Sequence, residues 1–371
     1  MDKDQQTPRR YLLPIQRSGG GGTNTQYFNF ANAVMLAILT NRTIVLTPFF
    51  LHGGHTRGYI GSNMRSFNNT FNEQTLSRIV PVATIDEFKK HCQGSISVLS
   101  WERIEAKYMK TRETVFKNIL KIKNLPLYDE LNIIRGTPHP DAVASIHKDE
   151  PCLSIYRPHE MHANITVLNY DLEKHVHSHL IRSEKIQHYA DTISKHICGG
   201  RPYLAFHWRN KTTENGCIFD RYEKQGNLNT SCTNRLPEVA LLAEYASTAI
   251  ADIMKKLKIH CIYVATPEWS KTILHMLGKQ IPRVNIYSTS DIIDVEDLSS
   301  LRDDYYSLSL VEQEICYRAD YFIASCKSHW SKFVMADRVV AGKNYTCTKN
   351  LPGLDDLQIA RFIKDQSRRK K

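Results

Sequence analysis

The sequence predicts an α/β protein of two doubly wound units, each built on a parallel sheet. Three observations carry this. From Arg201 onward, short β-branched and aromatic runs alternate with helical stretches at close spacing, the pattern of repeated strand–helix crossovers. The first half alternates as well, less regularly, opening with a strand, a glycine loop, a helix and a second strand. At 371 residues the chain is long enough for two domains that each bury a core. The expected division is a disordered tail at 1–10, an N-terminal unit at 11–198, a C-terminal unit at 199–365 hinged at Gly199-Gly200, and a basic tail at 366–371. Two such units facing a central cleft would turn both sets of strand carboxyl ends towards one ligand.

In the first half, Tyr11 to Ile15 forms a short strand, and Ser18 to Gln26 follows with four consecutive glycines. A strongly apolar helix then runs from about Tyr27 to Leu39. A strand, a glycine loop and a helix amino terminus make an anion cradle, because glycines let backbone N–H groups approach a phosphate and the helix dipole favours it. Gly20, Gly21, Gly22, Asn24 and Gln26 are the candidates there, against the plainer reading of a flexible linker. The spacing fits neither G-x-G-x-x-G nor a P-loop. Thr43 to Thr47 completes a first βαβ unit before Pro48. Ile85 to His91 reads as a helix start, Ile96 to Trp101 and Cys152 to Tyr156 as strands, and Tyr170 to Ile197 as helical.

In the second half, R-P-Y-L-A-F-H-W-R-N at Arg201 to Asn210 has the form of a buried strand with a charged end. Side chains alternate, so Tyr203, Ala205, His207 and Arg209 share one face and Leu204, Phe206 and Trp208 the other. His207 and Arg209 thus reach the carboxyl end of a strand, where open α/β sheets bind ligands. Taken alone, His207 is equally a satisfied core histidine and Arg209 a charge leaving the sheet. Helix Pro237 to Leu257 carries an apolar side of Val239, Leu242, Ala246, Ile250, Ile253 and Leu257. Strand Cys261 to Thr266, helix Trp269 to Lys279, strand Arg283 to Ser288, helix Tyr306 to Arg318, strand Tyr321 to Ser325 and helix Trp330 to Val340 follow.

The formal net charge of +11 suits anionic ligands without choosing among them. Much of it sits at the ends, Arg9-Arg10 and Arg368 to Lys371, read as solvated tails rather than a nucleic-acid arm. No basic motif interleaved with aromatics points to nucleic acid. No run reaches the roughly 18 apolar residues of a membrane span, and Met1 to Arg10 is polar with no signal-like region. The nine cysteines never adopt C-x-x-C spacing, which argues against a zinc cluster. Cys217 and Cys232 bracket a polar loop and would suit a disulfide, whereas Cys261 and Cys316 sit in apolar elements and read as small core residues. Sequons at Asn41, Asn68, Asn164, Asn210, Asn229 and Asn344 add support for the secretory-pathway lumen, endoplasmic reticulum or Golgi.

Four stretches in order carry a resemblance. They are the glycine loop to Gln26 with N-R-T-I-V-L-T-P at Asn41 to Pro48, H-W-R-N at His207 to Asn210, Y-V-A-T at Tyr263 to Thr266, and L-V-E-Q-E-I-C-Y-R-A-D-Y-F-I-A-S at Leu310 to Ser325 followed by S-H-W-S. Together they resemble the protein O-fucosyltransferase family; Phe50 to Leu180 contributes little. The resemblance implies a GT-B enzyme of two Rossmann-like domains that transfers fucose from GDP-fucose, without a metal or other cofactor and with inversion, to a Ser or Thr of a folded protein acceptor. It makes Arg209 the catalytic arginine and places His207, Glu312, Ser328, His329 and Trp330 with the glycine-loop residues around GDP-fucose. Relatives read S-T-F-S or S-S-F-S where this chain has Ser328-His329-Trp330-Ser331, and an aspartate where it has Pro267.

The residues are compatible with that chemistry. A departing diphosphate needs positive charge or donors where its own charge accumulates, and the only D-x-D here is Asp2-Lys3-Asp4 in the tail. Arg209 can grip two phosphate oxygens and stays charged. Ser325, Ser328 and Ser331 stand where a strand meets a helix amino terminus and could receive the β-phosphate. Glu312 orients base or ribose, or else forms a helix-surface pair with Glu314. The competing function is a catalytically silent scaffold of the same fold that holds an anionic glycan or a protein partner.

Overall fold

The computed structural model describes residues 9–15, 23–50, 64–92, 97–100, 132–133, 150–156, 170–209, 236–266, 271–293, 295–326 and 328–352. Residues 1–8 of the tail expected at 1–10, the tail at 366–371, Gly20, Gly21, Gly22, Cys217 and Cys232 lie outside these residues; Arg10, expected in the solvated tail, donates to the carbonyls of Thr40 and Asn41. The chain divides into two compact units, Met1–Glu184 and Lys185–Lys371.

In the first unit the elements run β1 (Tyr11–Ile15), α1 (Thr23–Leu39), β2 (Thr43–Val45), β3 (Phe49–Phe50), β4 (Met64–Arg65), α2 (Glu73–Leu76), β5 (Val82–Ala83), α3 (Ile85–His91), β6 (Ser97–Ser100), β7 (Asn132–Ile133), β8 (Cys152–Tyr156) and α4 (Tyr170–His177). Six of the strands form one parallel sheet in the order β5-β2-β1-β8-β6-β7. β1 is buried throughout, as a central strand covered on both faces should be. Its pairing with β2 ends at Leu12, before Pro14, which has no N–H to donate. The helix α1 begins at Thr23, a turn earlier than its apolar run suggests, and is buried around most of its circumference. Tyr27 and Phe30 pack there against Phe49, Phe67 and Phe71, with ring centroids 5.0 to 6.3 Å apart.

The stretch Tyr170 to Ile197, expected to be helical, holds two helices, at Tyr170–His177 and Glu184–His196. Residues 178–183 interrupt it because their backbone is used elsewhere: Arg182 bridges Phe71, Asn72 N donates to Ile181 O and Ser183 N to Thr70 O. Carbonyls and amides committed to that edge cannot close helical turns.

The second unit begins with α5 (Glu184–His196) and continues with β9 (Leu204–His207), α6 (Leu236–Leu257), β10 (Cys261–Ala265), α7 (Lys271–Gln280), β11 (Asn285–Ser288), α8 (Thr289–Ile293), α9 (Tyr305–Arg318), β12 (Tyr321–Ala324), α10 (His329–Val340) and β13 (Tyr345–Cys347). Its strands form a parallel sheet in the order β11-β10-β9-β12-β13. β13 has no counterpart in the sequence reading. Leu204, Phe206 and Trp208 enter one core with Leu242, Ala246 and Ile250 of α6 and Ile273 and Leu277 of α7. Leu242, Ala246, Ile250 and Ile253 of the expected apolar side of α6 thus face the core, whereas Leu257 at its end is exposed.

The unit boundary falls between Glu184 and Lys185, in the first turn of α5, and not at Gly199-Gly200. Arg318 of α9 pairs with Asp191 and donates to Gln187 O, which ties α5 to the second unit. Gly199 and Gly200 have φ of +58° and +69°, the left-handed region where glycine costs least. They form a bend beside Cys198, which is disulfide-bonded to Cys261. Cys261 is thus a crosslink and not the free core residue expected; its apolar strand hid the pairing. Cys92–Cys152 and Cys326–Cys347 are further disulfides. Cys316 is buried with a free thiol, as expected. Arg338 is wholly buried and donates to the carbonyls of Cys316, Tyr317, Ala319, Asp320 and Asn344, closing the carboxyl end of α9 onto β12.

Candidate active site

In the second sheet the chain leaves β9 towards β10 and leaves β12 towards β13, on the other side. The two strands are neighbours, so the connections that follow them separate at this point. Such a switch point opens a crevice at the strand carboxyl ends. The residues after β9 are Trp208 and Arg209; those after β12 are Ser325, Cys326 and, at the cap of α10, Ser328.

At the switch point the Ser325 hydroxyl donates to the carbonyl of Arg209 at 2.5 Å. Beside it, His207 Nδ1 lies 2.6 Å from Ser331 Oγ, which also accepts from Ser325 N at 3.0 Å. The Trp330 ring covers His207 at a centroid distance of 4.1 Å, and its Nε1 donates to Ser309 of α9. His207 is buried, and burial together with the Arg209 charge lowers its pKa to about 3. The imidazole is therefore neutral over the working pH range. Arg209 is exposed at the strand end.

Ser328 is the N-cap of α10 and is buried, and its side chain makes no capping bond. His329 is exposed, in the first turn of that helix, and Trp330 is buried. Of the three serines expected to receive a phosphate, Ser331 is committed to His207 and Ser325 to Arg209. All three lie where β12 meets α10, as expected, and Ser328 is the one at the N-cap.

A second cluster stands at the ends of β10 and β11. The Tyr263 hydroxyl donates to Glu312 Oε1 at 2.7 Å. Thr289 Oγ1 lies 2.6 Å from the same oxygen and 2.9 Å from Thr266 O, sharing one proton between them. Burial raises the Glu312 carboxyl to about 7, while the two hydroxyls pull in the opposite direction. Burial and the carboxylate also push the Tyr263 phenol well up. Glu312 is thus no surface partner of Glu314, which pairs with Arg318 one turn on. Thr266 Oγ1 next to this cluster is buried without a hydrogen-bond partner.

In the first unit, Asn24 lies half-buried in the first turn of α1. Gln26 is buried, and both ends of its amide are used: Nε2 donates to Phe50 O and Oε1 accepts from Phe50 N, each at 2.8 Å. Gln26 fixes β3 against α1, so the ligand contact expected of it is replaced by a structural one. Gly20, Gly21 and Gly22 fall in the connection between β1 and α1, outside the described residues.

The sequence reading missed Thr289 and Ser309 and left Tyr263 as a motif letter. Thr289 directly follows a strand, a position that could have marked it; Ser309 gives no such signal. Among the described residues no helix is long and apolar enough to cross a membrane, and no cluster of three or more His, Cys, Asp or Glu side chains could hold a metal ion.

A sequence model described as GDP-fucose protein O-fucosyltransferase matches residues 11–341. No curated protein matches the chain. Among solved structures, POFUT1 in complex with GDP is 14% identical, with a TM-score of 0.58, covering 92% of this chain and 99% of that one. POFUT1 in complex with GDP-fucose is 14% identical, with a TM-score of 0.59 and coverages of 93% and 99%. Fucosyltransferase NodZ from Bradyrhizobium is 12% identical, with coverages of 89% and 93% and a TM-score of 0.45. The POFUT1 likeness establishes a shared fold, the GT-B type of two Rossmann-like units.

Proposed function

Because the chain belongs to the GDP-fucose protein O-fucosyltransferase family and is therefore a fucosyltransferase, we propose that it moves fucose from GDP-fucose to a Ser or Thr hydroxyl of a folded protein, inverting the anomeric carbon and needing no metal. The observation that carries this reading is the switch point, where Arg209, His207 and the amino terminus of α10 converge from β9 and β12. In the transfer, the bond from the anomeric carbon to the β-phosphate oxygen breaks while the acceptor oxygen bonds to the opposite face. The products are the fucosylated protein, GDP and a proton.

The charge that develops on the departing diphosphate meets the Arg209 guanidinium, a fixed cation that can take two oxygens at once. The amino terminus of α10, with its dipole, and the Ser328 hydroxyl favour negative charge on the other side of the crevice. Glu312, held by Tyr263 and Thr289, is the acidic group available to the nucleoside. Three disulfides among the described residues support residence in an oxidising lumen, as do the sequons.

Thermal stabilisation by a panel of nucleoside diphosphates tests this, with EDTA present throughout. Selective stabilisation by GDP and GDP-fucose is expected, amounting to about 3 kcal/mol at a hundredfold excess over Kd, together with fucose transfer in EDTA. Turnover that stops in EDTA and returns with a divalent ion would remove metal independence. No response to any guanine nucleotide would remove the donor and leave a silent scaffold.

A further inference from the structure

The Ser331 hydroxyl stands between two partners. An amide can only donate, so Ser331 Oγ accepts from Ser325 N at 3.0 Å. Its own proton then needs an acceptor, since Ser331 is fully buried and an unmade bond there costs the full desolvation of the hydroxyl. Among the described residues the acceptor within reach is His207 Nδ1, at 2.6 Å. A ring that accepts at Nδ1 while neutral must carry its proton at Nε2. Trp330, 4.1 Å away and anchored to Ser309, limits how the ring can turn.

We propose that Ser331 is a positioning residue that locks His207 in its Nε2–H tautomer, making the histidine a neutral hydrogen-bond donor to an anionic or ether oxygen of the donor substrate and not the base that deprotonates the acceptor. The part of this that concerns substrate rests on the donor site proposed above; the tautomer does not. Ser325 then fixes both active residues of the β9 end, Arg209 through its hydroxyl and His207 through its N–H by way of Ser331. A lock of this kind leaves the imidazole no free lone pair for proton abstraction.

The test is the ¹⁵N spectrum of the full chain labelled at histidine nitrogens, with the His207 signals assigned by their loss in His207→Gln. The expected result is a pyridine-type shift for Nδ1 and a pyrrole-type shift for Nε2. Ser331→Ala should move both towards averaged values and weaken GDP binding about tenfold, the effect of one hydrogen bond. Ser331→Thr, which keeps the hydroxyl, should restore the shifts. His207→Gln, which keeps a donor near the Nε2 position, should bind GDP better than His207→Ala. A pyrrole-type Nδ1 in the wild-type chain overturns the proposal, as do shifts unchanged by Ser331→Ala in a folded variant. Wild-type shifts as expected without GDP binding would sink the donor-site reading and leave the tautomer lock standing.

Discussion

The Ser325 hydroxyl donates to the main-chain carbonyl of Arg209 at 2.5 Å, joining the connections that follow β9 and β12. Arg209 itself is exposed, so the neighbouring strand sets the position of its backbone and leaves its side chain at the surface. Ser325→Ala should destabilise the chain by about 1 kcal/mol, the net worth of one such bond. Because a loosened Arg209 acts on the transition state more than on bound substrate, kcat should fall by about tenfold with KM little changed. Equal loss in both parameters, or none, would separate the tether from catalysis.

Arg209→Ala should leave the melting temperature almost unchanged, since an exposed side chain with no hydrogen bond to another described residue contributes within about 0.5 kcal/mol. Turnover should drop by about a thousandfold, the range seen when a charge-stabilising donor is removed. Arg209→Lys should recover only part of it, because an ammonium cannot make the paired contact. An Arg209→Ala enzyme at full rate would end the catalytic assignment.

Glu312 and His207 make opposite contributions to stability against pH. The Glu312 carboxyl, raised from 4.5 to about 7, favours the folded state below pH 4.5, and this contribution is lost as pH rises through 7. It amounts to about 3 kcal/mol at 1.36 per unit. The His207 pKa is lowered from 6.5 to about 3, so the unfolded chain takes up a proton first and stability falls as pH drops below 6.5. Between about pH 4.5 and 6.5 the two slopes cancel. Glu312→Gln should therefore show stability rising with pH over that window, and His207→Gln should show it falling, by denaturant melts at fixed pH. Parallel curves for all three chains would contradict the pairing.

Cys326 follows Ser325 directly, and its bond to Cys347 closes a loop of 21 residues around α10. Cys326→Ser with Cys347→Ser should cost about 3 kcal/mol, the entropy of a loop of that size, and should weaken GDP binding because the α10 cap is joined to that crosslink. GDP affinity measured with and without the pair gives the answer; an unchanged Kd would confine the bond to stability.

Amino-acid order by itself determined the α/β architecture, the strands β1, β2, β6 and β8 to β12, and the residues at the β9 end, because alternation and apolar runs are local properties of the chain; the short edge strands β5, β7 and β13 left no such run. It also marked Arg209, His207 and Ser328 as neighbours of a strand end. Which cysteines pair, and whether Ser331, Gln26 and Glu312 face a ligand or another side chain, was decided only in three dimensions. Those partners come from elements distant in sequence: Ser331 meets His207, Glu312 meets Tyr263 and Thr289, and Gln26 closes on Phe50. A hydrogen bond between residues so far apart leaves no periodic trace, so only the packed sheets bring it into being.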